Sequence, residues 1–430
     1  MAKNVLDTEA QRAFDNRANE IYERILTAGS DLNLKFESAM REVTESYVLA
    51  HSYYLEELKP EVRKSLTPSI NELLFSCIQK AVNGAPLSPD VYWVNNAKAR
   101  QDFSGEFILP GGRYSYDNPD VIYRLIPISV DARYVVRGAQ NTVGGNSDYT
   151  YSLIINPNSQ NTVGYLDKKT LQVGVDGSYE IYIDTDPQGE RLNHIASVPA
   201  ARFLFVRHTI GDWTKEVPDT LSVEILSSPD KKTRTLEEVI DESLINLQES
   251  VVTYGVGAMG LKTYKNNEVN TLPAPTQSEI LGTLVTQASS FGHIDIAGDE
   301  AFVITLVKSD ADYFVVPMSN AWIISVDPAT HQSSLNIKQS FVNNDGSYTF
   351  VVSLYDPGVA NWLDPAGLHE STIMIRWQNV TKESTPSVTC QVVPVTELKN
   401  ILPAETQYLT VSERAEVLRL RKEGYERLTS

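Results

Sequence analysis

Cysteine is scarce: Cys77 and Cys390 are the only two in 430 residues. They lie far apart in apolar settings, which excludes a disulfide framework and suits buried free thiols. The six histidines include no pair at the i, i+4 spacing of a helical zinc site, so no metal is predicted, although carboxylates leave a divalent cation open. The chain has no Gly-rich phosphate loop, no G-x-S-x-G elbow and no nucleophilic cysteine context. Nucleotide-dependent and triad-hydrolase chemistry are therefore poor expectations, and no cofactor is predicted. No apolar run approaches the roughly 18 residues of a membrane span, and the stretch from Met1 to Asp7 lacks a signal core. Positive charge is in deficit: the formal net charge is −18, which repels nucleic-acid phosphate and anionic lipid. The expectation is a cytoplasmic protein with no nucleic-acid or membrane partner.

What is present is a repeat. Asp176-Gly177-Ser178-Tyr179 recurs as Asp345-Gly346-Ser347-Tyr348, and thirty-one residues after each Asp comes an arginine, Arg207 or Arg376. Between them both copies carry Asp-Pro (Asp186, Asp356) and then Asn (Asn193, Asn361). The offset of about 169 residues far exceeds solenoid periods of roughly 20–50. A duplicated domain is the better reading, and 430 residues suffice for two or three domains.

Pattern changes set the expected boundaries. Residues 1–88 read as helical, with Phe14, Ala18, Ile21 and Ile25 on one face, Phe36, Met40, Val43, Tyr47 and Tyr54 on the next, and a cap at Ser30-Asp31. Pro60 and Pro68 are each read as opening a short helix. Residues 89–228 form a first β-module. Residues 229–292 form a helical insert with a capping box at Thr235–Glu238 and a second helix over about 276–290. Residues 293–396 form the second β-module, and 397–430 a C-terminal helix with a capping box at Thr410–Glu413. Short strands with Gly, Pro and Asn turns predict a mainly β protein: two tandem antiparallel sandwiches, jelly-roll-like, with helices over their faces or edges.

Arg207 and Arg376 lie in strands apolar on both faces, which implies central, buried strands. A guanidinium there needs carboxylate or carbonyl partners. Asp186 and Asp356 are the candidates, and a buried, register-fixing ion pair is favoured over an anion site, because a fold needs its scaffold twice but rarely its active site twice. By the same logic, features present in one copy only are the better functional candidates. One is Asp117-Asn118-Pro119-Asp120 with Tyr123, readable as a sugar-hydroxyl or cation site or, more simply, as an Asx turn. The other is Asn361-Trp362-Leu363-Asp364 through His369-Glu370. It offers an aromatic platform with Asp364, His369 and Glu370 for acid–base work on a small polar or carbohydrate-like ligand, or else a structured loop, the two readings being balanced.

At these residues the chain resembles a bacterial family carrying domains of unknown function 1254 and 1214. The matching segments are Asp117 to Tyr123, Asp176-Gly-Ser, Arg207 with Asp212-Trp213, Pro218 to Val223, Ala321-Trp322, Asp356-Pro357-Gly358, Asn361 to Asp364, and Arg376-Trp377, within roughly residues 100–428. His194 and His208 depart from the family pattern. The resemblance implies tandem jelly-roll-like sandwiches and a homo-oligomer, but no reaction. By fold analogy it also admits a non-catalytic, capsid-like assembly protein.

Overall fold

The computed structural model describes residues 4–52, 58–94, 98–141, 144–158, 160–230, 233–252, 259–264, 268–277 and 286–429. Three helices lead: α1 (Glu9–Leu26), α2 (Asp31–Ser52) and α3 (Pro60–Val82). The Thr8 side chain caps α1 by accepting from Gln11 N, and Ser30 Oγ accepts from Asn33 N at the start of α2. Phe14, Ala18, Ile21, Ile25, Phe36, Val43 and Tyr47 are buried as their spacing predicts, while Tyr54 lies outside the described residues. Pro68 does not begin a new helix. It sits inside α3, exposed, where the carbonyl it leaves unbonded at exposed Lys64 can reach water. The insert helix α4 (Leu236–Val252) packs Val239, Ile240, Leu247 and Val251 into the core shared by α1, α2 and α3. Its capping box forms in both directions, Thr235 N to Glu238 Oε2 and Glu238 N to Thr235 Oγ1. A short α5 (Leu261–Tyr264) follows.

The first β-region contains β1 (Tyr92–Trp93), a small hairpin of β2 (Arg100–Gln101) and β3 (Ile108–Leu109), and then β4 (Val121–Pro127), β5 (Arg133–Ala139), β6 (Asp148–Ile154), β7 (Thr162–Asp167), β8 (Ser178–Asp184), β9 (His194–Ala196), β10 (Phe203–Thr209) and β11 (Thr220–Ser227). They form a five-stranded sheet, β1-β4-β10-β6-β7, and a four-stranded sheet, β11-β5-β8-β9. Tyr134, Val136, Tyr151, Leu153, Ile181, Leu204 and Val206 fill the space between them.

The second β-region contains β12 (Thr276–Gln277), β13 (Ala288–Asp295), β14 (Glu300–Val307), β15 (Tyr313–Ser319), β16 (Ser334–Asn336), β17 (Tyr348–Val352), β18 (Trp362–Leu363), β19 (Glu370–Gln378) and β20 (Ser387–Pro394). Its sheets run β12-β13-β19-β15-β16 and β18-β17-β14-β20, the same arrangement of five and four strands. Phe302, Ile304, Phe314, Phe350, Ile373, Ile375 and Trp377 form its core. The helix expected over 276–290 is not found among the described residues. Residues 276–277 and 288–290 are strand, 278–285 lie outside the described residues, and Ala288, Ser289 and Ser290 pair with Trp377, Arg376 and Ile375. Ladder pairing there overrides local helical preference.

The sheets are not wholly antiparallel. β8 pairs with β9, and β17 with β18, in parallel. The repeated Asn steers both returns. Asn193 bonds Gln172 N, Gln172 O and Glu180 O, and Asn361 likewise bonds Phe341 N, Phe341 O and Thr349 O.

After α6 (Leu398–Ile401), α7 (Val411–Thr429) spans both β-regions. Its capping box forms, Thr410 N to Glu413 Oε2 and Glu413 N to Thr410 Oγ1. Arg419 pairs with Glu416 and Glu423 on the exposed face, whereas buried Arg421 donates to the Ser334 carbonyl and Arg427, though exposed, reaches the Trp213 carbonyl. Tyr425 stacks on Trp213 at 3.9 Å. Asp120 lies at this junction, accepting from Trp213 Nε1 (3.0 Å), Tyr313 OH (2.8 Å), Asn336 Nδ2 (2.7 Å) and Tyr425 OH (3.2 Å).

Candidate functional site

β10 and β19 are the middle strands of their five-stranded sheets, and every residue in them is buried. Leu204, Val206, Ile373, Ile375 and Trp377 point into the sandwich cores. Phe205, Arg207, Met374 and Arg376 therefore present the opposite faces. These outer faces line one pocket between the two β-regions, closed on a third side by α3. Its cavity volume, counted as room for the centres of water-sized molecules, is about 70 Å³.

Three cationic side chains line it: Lys80 from α3, Arg207 from β10 and Arg376 from β19. Arg207 donates to Gln160 Oε1 (2.6 Å) and Ser152 Oγ (3.3 Å) and lies over the Phe205 ring. Arg376 donates to the carbonyls of Met374 (3.2 Å) and Tyr116. Lys80 donates to Asn158 Oδ1 (3.3 Å) and sits 4.0 Å from the Tyr114 ring centre. No described carboxylate lies within ion-pair distance of Arg376 or Lys80. Keeping such charges buried beside carbonyls and amides is costly unless something anionic arrives.

The expected partners of the arginines are elsewhere. Asp186 pairs with Arg133 (2.6 Å), and Asp356 with Arg414 (2.8 Å). The physical reason is the sandwich itself. The Asp-Pro turns follow strands of the four-stranded sheets, whereas the arginines leave the five-stranded sheets on the far side, so a core lies between them.

Tyr123, on β4, is the cross-strand neighbour of Arg207. Its hydroxyl accepts from Asn118 N (3.2 Å), and its ring stacks on Phe205 at 5.4 Å. Burial raises its pKa, and the charges of Arg376 and Arg207 both work against that rise. Asp117 also lines the pocket, but its oxygens are engaged by Ser325 N (3.1 Å) and Ser325 Oγ (2.6 Å). Burial pushes its pKa up to about 6, against the Ser325 bonds and the charge of Arg113.

The loop carrying these groups is held in an unusual conformation. Ser115 and Tyr116 have consecutive positive φ values of 53° and 56°, a left-handed region that non-glycine residues occupy at a cost. That turn aims the Tyr116 carbonyl at Arg376 and places Tyr116 N on Ile323 O. Ser115 Oγ and Gln378 Oε1, both in the pocket lining, are buried with no hydrogen-bond partner among the described residues.

Of the residues singled out in the sequence, Asp117, Asn118 and Tyr123 come together with Arg207 and Arg376, and Asp120, as described, is a junction rather than a lining group. Asp364, His369 and Glu370 do not share a cleft. Asp364 meets His331 Nδ1 (2.8 Å) near the surface, and His369 Nδ1 meets Ile296 O (2.8 Å). Glu370 is fully buried between His51 Nε2 (2.6 Å) and His293 Nε2 (2.9 Å). Trp362 is buried, donates to Ser353 O (3.0 Å) and lies under Arg414, so it offers no platform, and Asn361 is committed to its loop. Lys80, Ser115, Gln160 and Gln378 carried no signal in the sequence. Lys80 looks like any helical surface lysine until the fold buries it.

Among the described residues no group of three or more His, Cys, Asp or Glu is placed to hold a metal ion. No described helix is long and apolar enough to cross a membrane.

No protein-family model matches the chain, and no curated protein matches it. It is similar to the solved structure of an uncharacterised protein from Burkholderia cenocepacia, with TM-score 0.71 and 21% identity over 89% of this chain and 100% of that one. A second structure, the VPA0106 protein from Vibrio parahaemolyticus, aligns at TM-score 0.42 and 13% identity over 82% of this chain and 100% of that one. The first likeness establishes a shared β-rich fold with helical additions.

Proposed function

We propose that the protein binds a small anionic ligand in the pocket between its two β-regions, with Arg207, Arg376 and Lys80 as the anion-holding groups. The observation that carries this is the convergence of the two repeat-equivalent arginines on one cavity lined also by a third buried cation. Oxyanions suit guanidinium forks, and a water-poor setting strengthens each contact. Acid–base catalysis by Asp364, His369 and Glu370 is disfavoured, because the three groups have separate partners. The matched strand orders favour a duplicated, tandem jelly-roll-like design of the 1254/1214 kind, modified by the parallel edge strands, and the reading fits a cytoplasmic protein. The rival, a homo-oligomeric assembly protein without a ligand, is disfavoured by the cost of an empty pocket lined with buried cations. Thermal-shift titration of the full chain with phosphate, sulfate and short carboxylates tests the proposal. Saturable stabilisation, abolished in Arg376→Gln, is expected. An unmoved melting point with every anion would refute it.

A further inference from the structure

The pocket is two-faced. One wall is the outer side of the first five-stranded sheet, where Leu125, Ile154 and Phe205 form an apolar cluster with partly buried Val94 and Tyr123. This cluster is separate from the sandwich core, which takes Leu204 and Val206 from the same strand. Across from it, α3 contributes Ser76, Gln79 and Lys80, all polar. An inorganic oxyanion would satisfy the cations yet leave the apolar wall facing water. A neutral apolar molecule would cover that wall yet bring no charge to Arg376 and Lys80.

Resting on the anion reading above, we infer that the ligand is an organic acid: a carboxylate head among Arg207, Arg376 and Lys80, and a hydrocarbon or aromatic body against the Tyr123–Phe205 ring pair. The two rings pack against each other at 20° and 5.4 Å and, with Leu125, Ile154 and Val94, make up the apolar wall. Ser115 Oγ and Gln378 Oε1, without a hydrogen-bond partner among the described residues and each more than nine-tenths buried, supply a further polar point for a substituent on the body. Such a mostly apolar cavity with a few fixed polar groups is the usual form of a small-molecule site.

Calorimetric titration of the full-length chain with acetate, butyrate, hexanoate, inorganic phosphate and 1-hexanol provides the test. Affinity is expected to rise roughly three- to fourfold per methylene from acetate to hexanoate, with phosphate and 1-hexanol both weaker than hexanoate. Phe205→Ser should flatten the chain-length series, and Arg376→Gln should erase the preference for hexanoate over 1-hexanol. Should either variant fail to fold, the wild-type series decides alone. Phosphate or acetate binding as tightly as hexanoate would overturn the organic-acid inference and leave the anion site standing. Equal binding of 1-hexanol and hexanoate, or no binding by any of the five, would overturn both.

Discussion

Arg207 on β10 and Arg376 on β19 hold equivalent places in the two halves of the chain and open into the same pocket. Each half alone would expose its arginine on the outer face of a sheet. Apposing the two faces buries both, and the Asp120 junction and α7 hold them in that apposition. The pocket is thus built from both β-regions, with one arginine from each.

If the buried cations are held for a ligand, removing one should help the empty protein. Among the described residues Lys80 has only a long bond to Asn158 and a ring contact to lose. Lys80→Met is expected to raise the unfolding free energy of the ligand-free protein by about 1 kcal/mol, as at other sites where function costs stability. It should also weaken anion binding at least tenfold. Urea denaturation beside calorimetry measures both. A less stable variant with unchanged affinity would make Lys80 a strut.

Much of the architecture is legible in the sequence for local reasons. The capping boxes at Thr235 and Thr410, the apolar stripes of α1 and α2 and the two repeated β-regions all depend on short-range chemistry. The errors arise where distant residues decide. Ser289 and Ser290 become strand because β19 is beside them. Trp362, Asp364, His369 and Glu370 are close in the chain but face different neighbours: Ser353, His331, Ile296 and the His51–His293 pair. The pocket is not legible in the sequence because it is built between the two β-regions and α3, from residues far apart in the chain. Spacing alone could not show that Arg207 and Asp186 sit on opposite sides of a core.

Asp117 gives the pocket a pH signature. Its pKa rises from 3.8 to about 6 in the fold, so the folded state holds the proton more readily than the unfolded state. Its contribution to stability is therefore full below about pH 4 and is lost as pH rises through about 6. Asp117→Asn fixes the neutral form and keeps an acceptor for Ser325 N. It should gain up to about 3 kcal/mol over wild type at pH 7.5 and almost nothing at pH 4. Denaturation at the two pH values checks this, and an equal effect at both would remove titration as the cause.

Asp120 should be the costliest of the sequence-flagged residues to lose. Its carboxylate accepts four side-chain donors from both β-regions and α7, and burial raises its pKa ahead of the opposing bonds from Asn336 and Trp213. Asp120→Ala strands those donors together, at about 4 kcal/mol. Denaturant unfolding followed by tryptophan emission should show a large drop in midpoint. A loss below about 1 kcal/mol would mean that water replaces the carboxylate.

Glu370 behaves oppositely in acid. Burial pushes its pKa up, but the bonds and charges of His293 and His51 outweigh that and hold it at about 2, below the ordinary 4.5. The stabilisation is thus present above pH 4.5 and is lost as pH falls toward 2. Glu370→Gln removes the charge that joins the end of α2 to β13 and β19. It should cost about 3 kcal/mol at pH 7, with the gap to wild type closing between pH 4.5 and 2. Because Glu370 does not line the pocket, ligand affinity at pH 7 should stay within twofold of wild type wherever the variant is folded. Matched melting curves at pH 7 and 3, with one titration at pH 7, separate this structural hydrogen-bonded cluster from the site. A tenfold loss of affinity in folded Glu370→Gln would instead tie the two together through β19, which carries both Glu370 and Arg376.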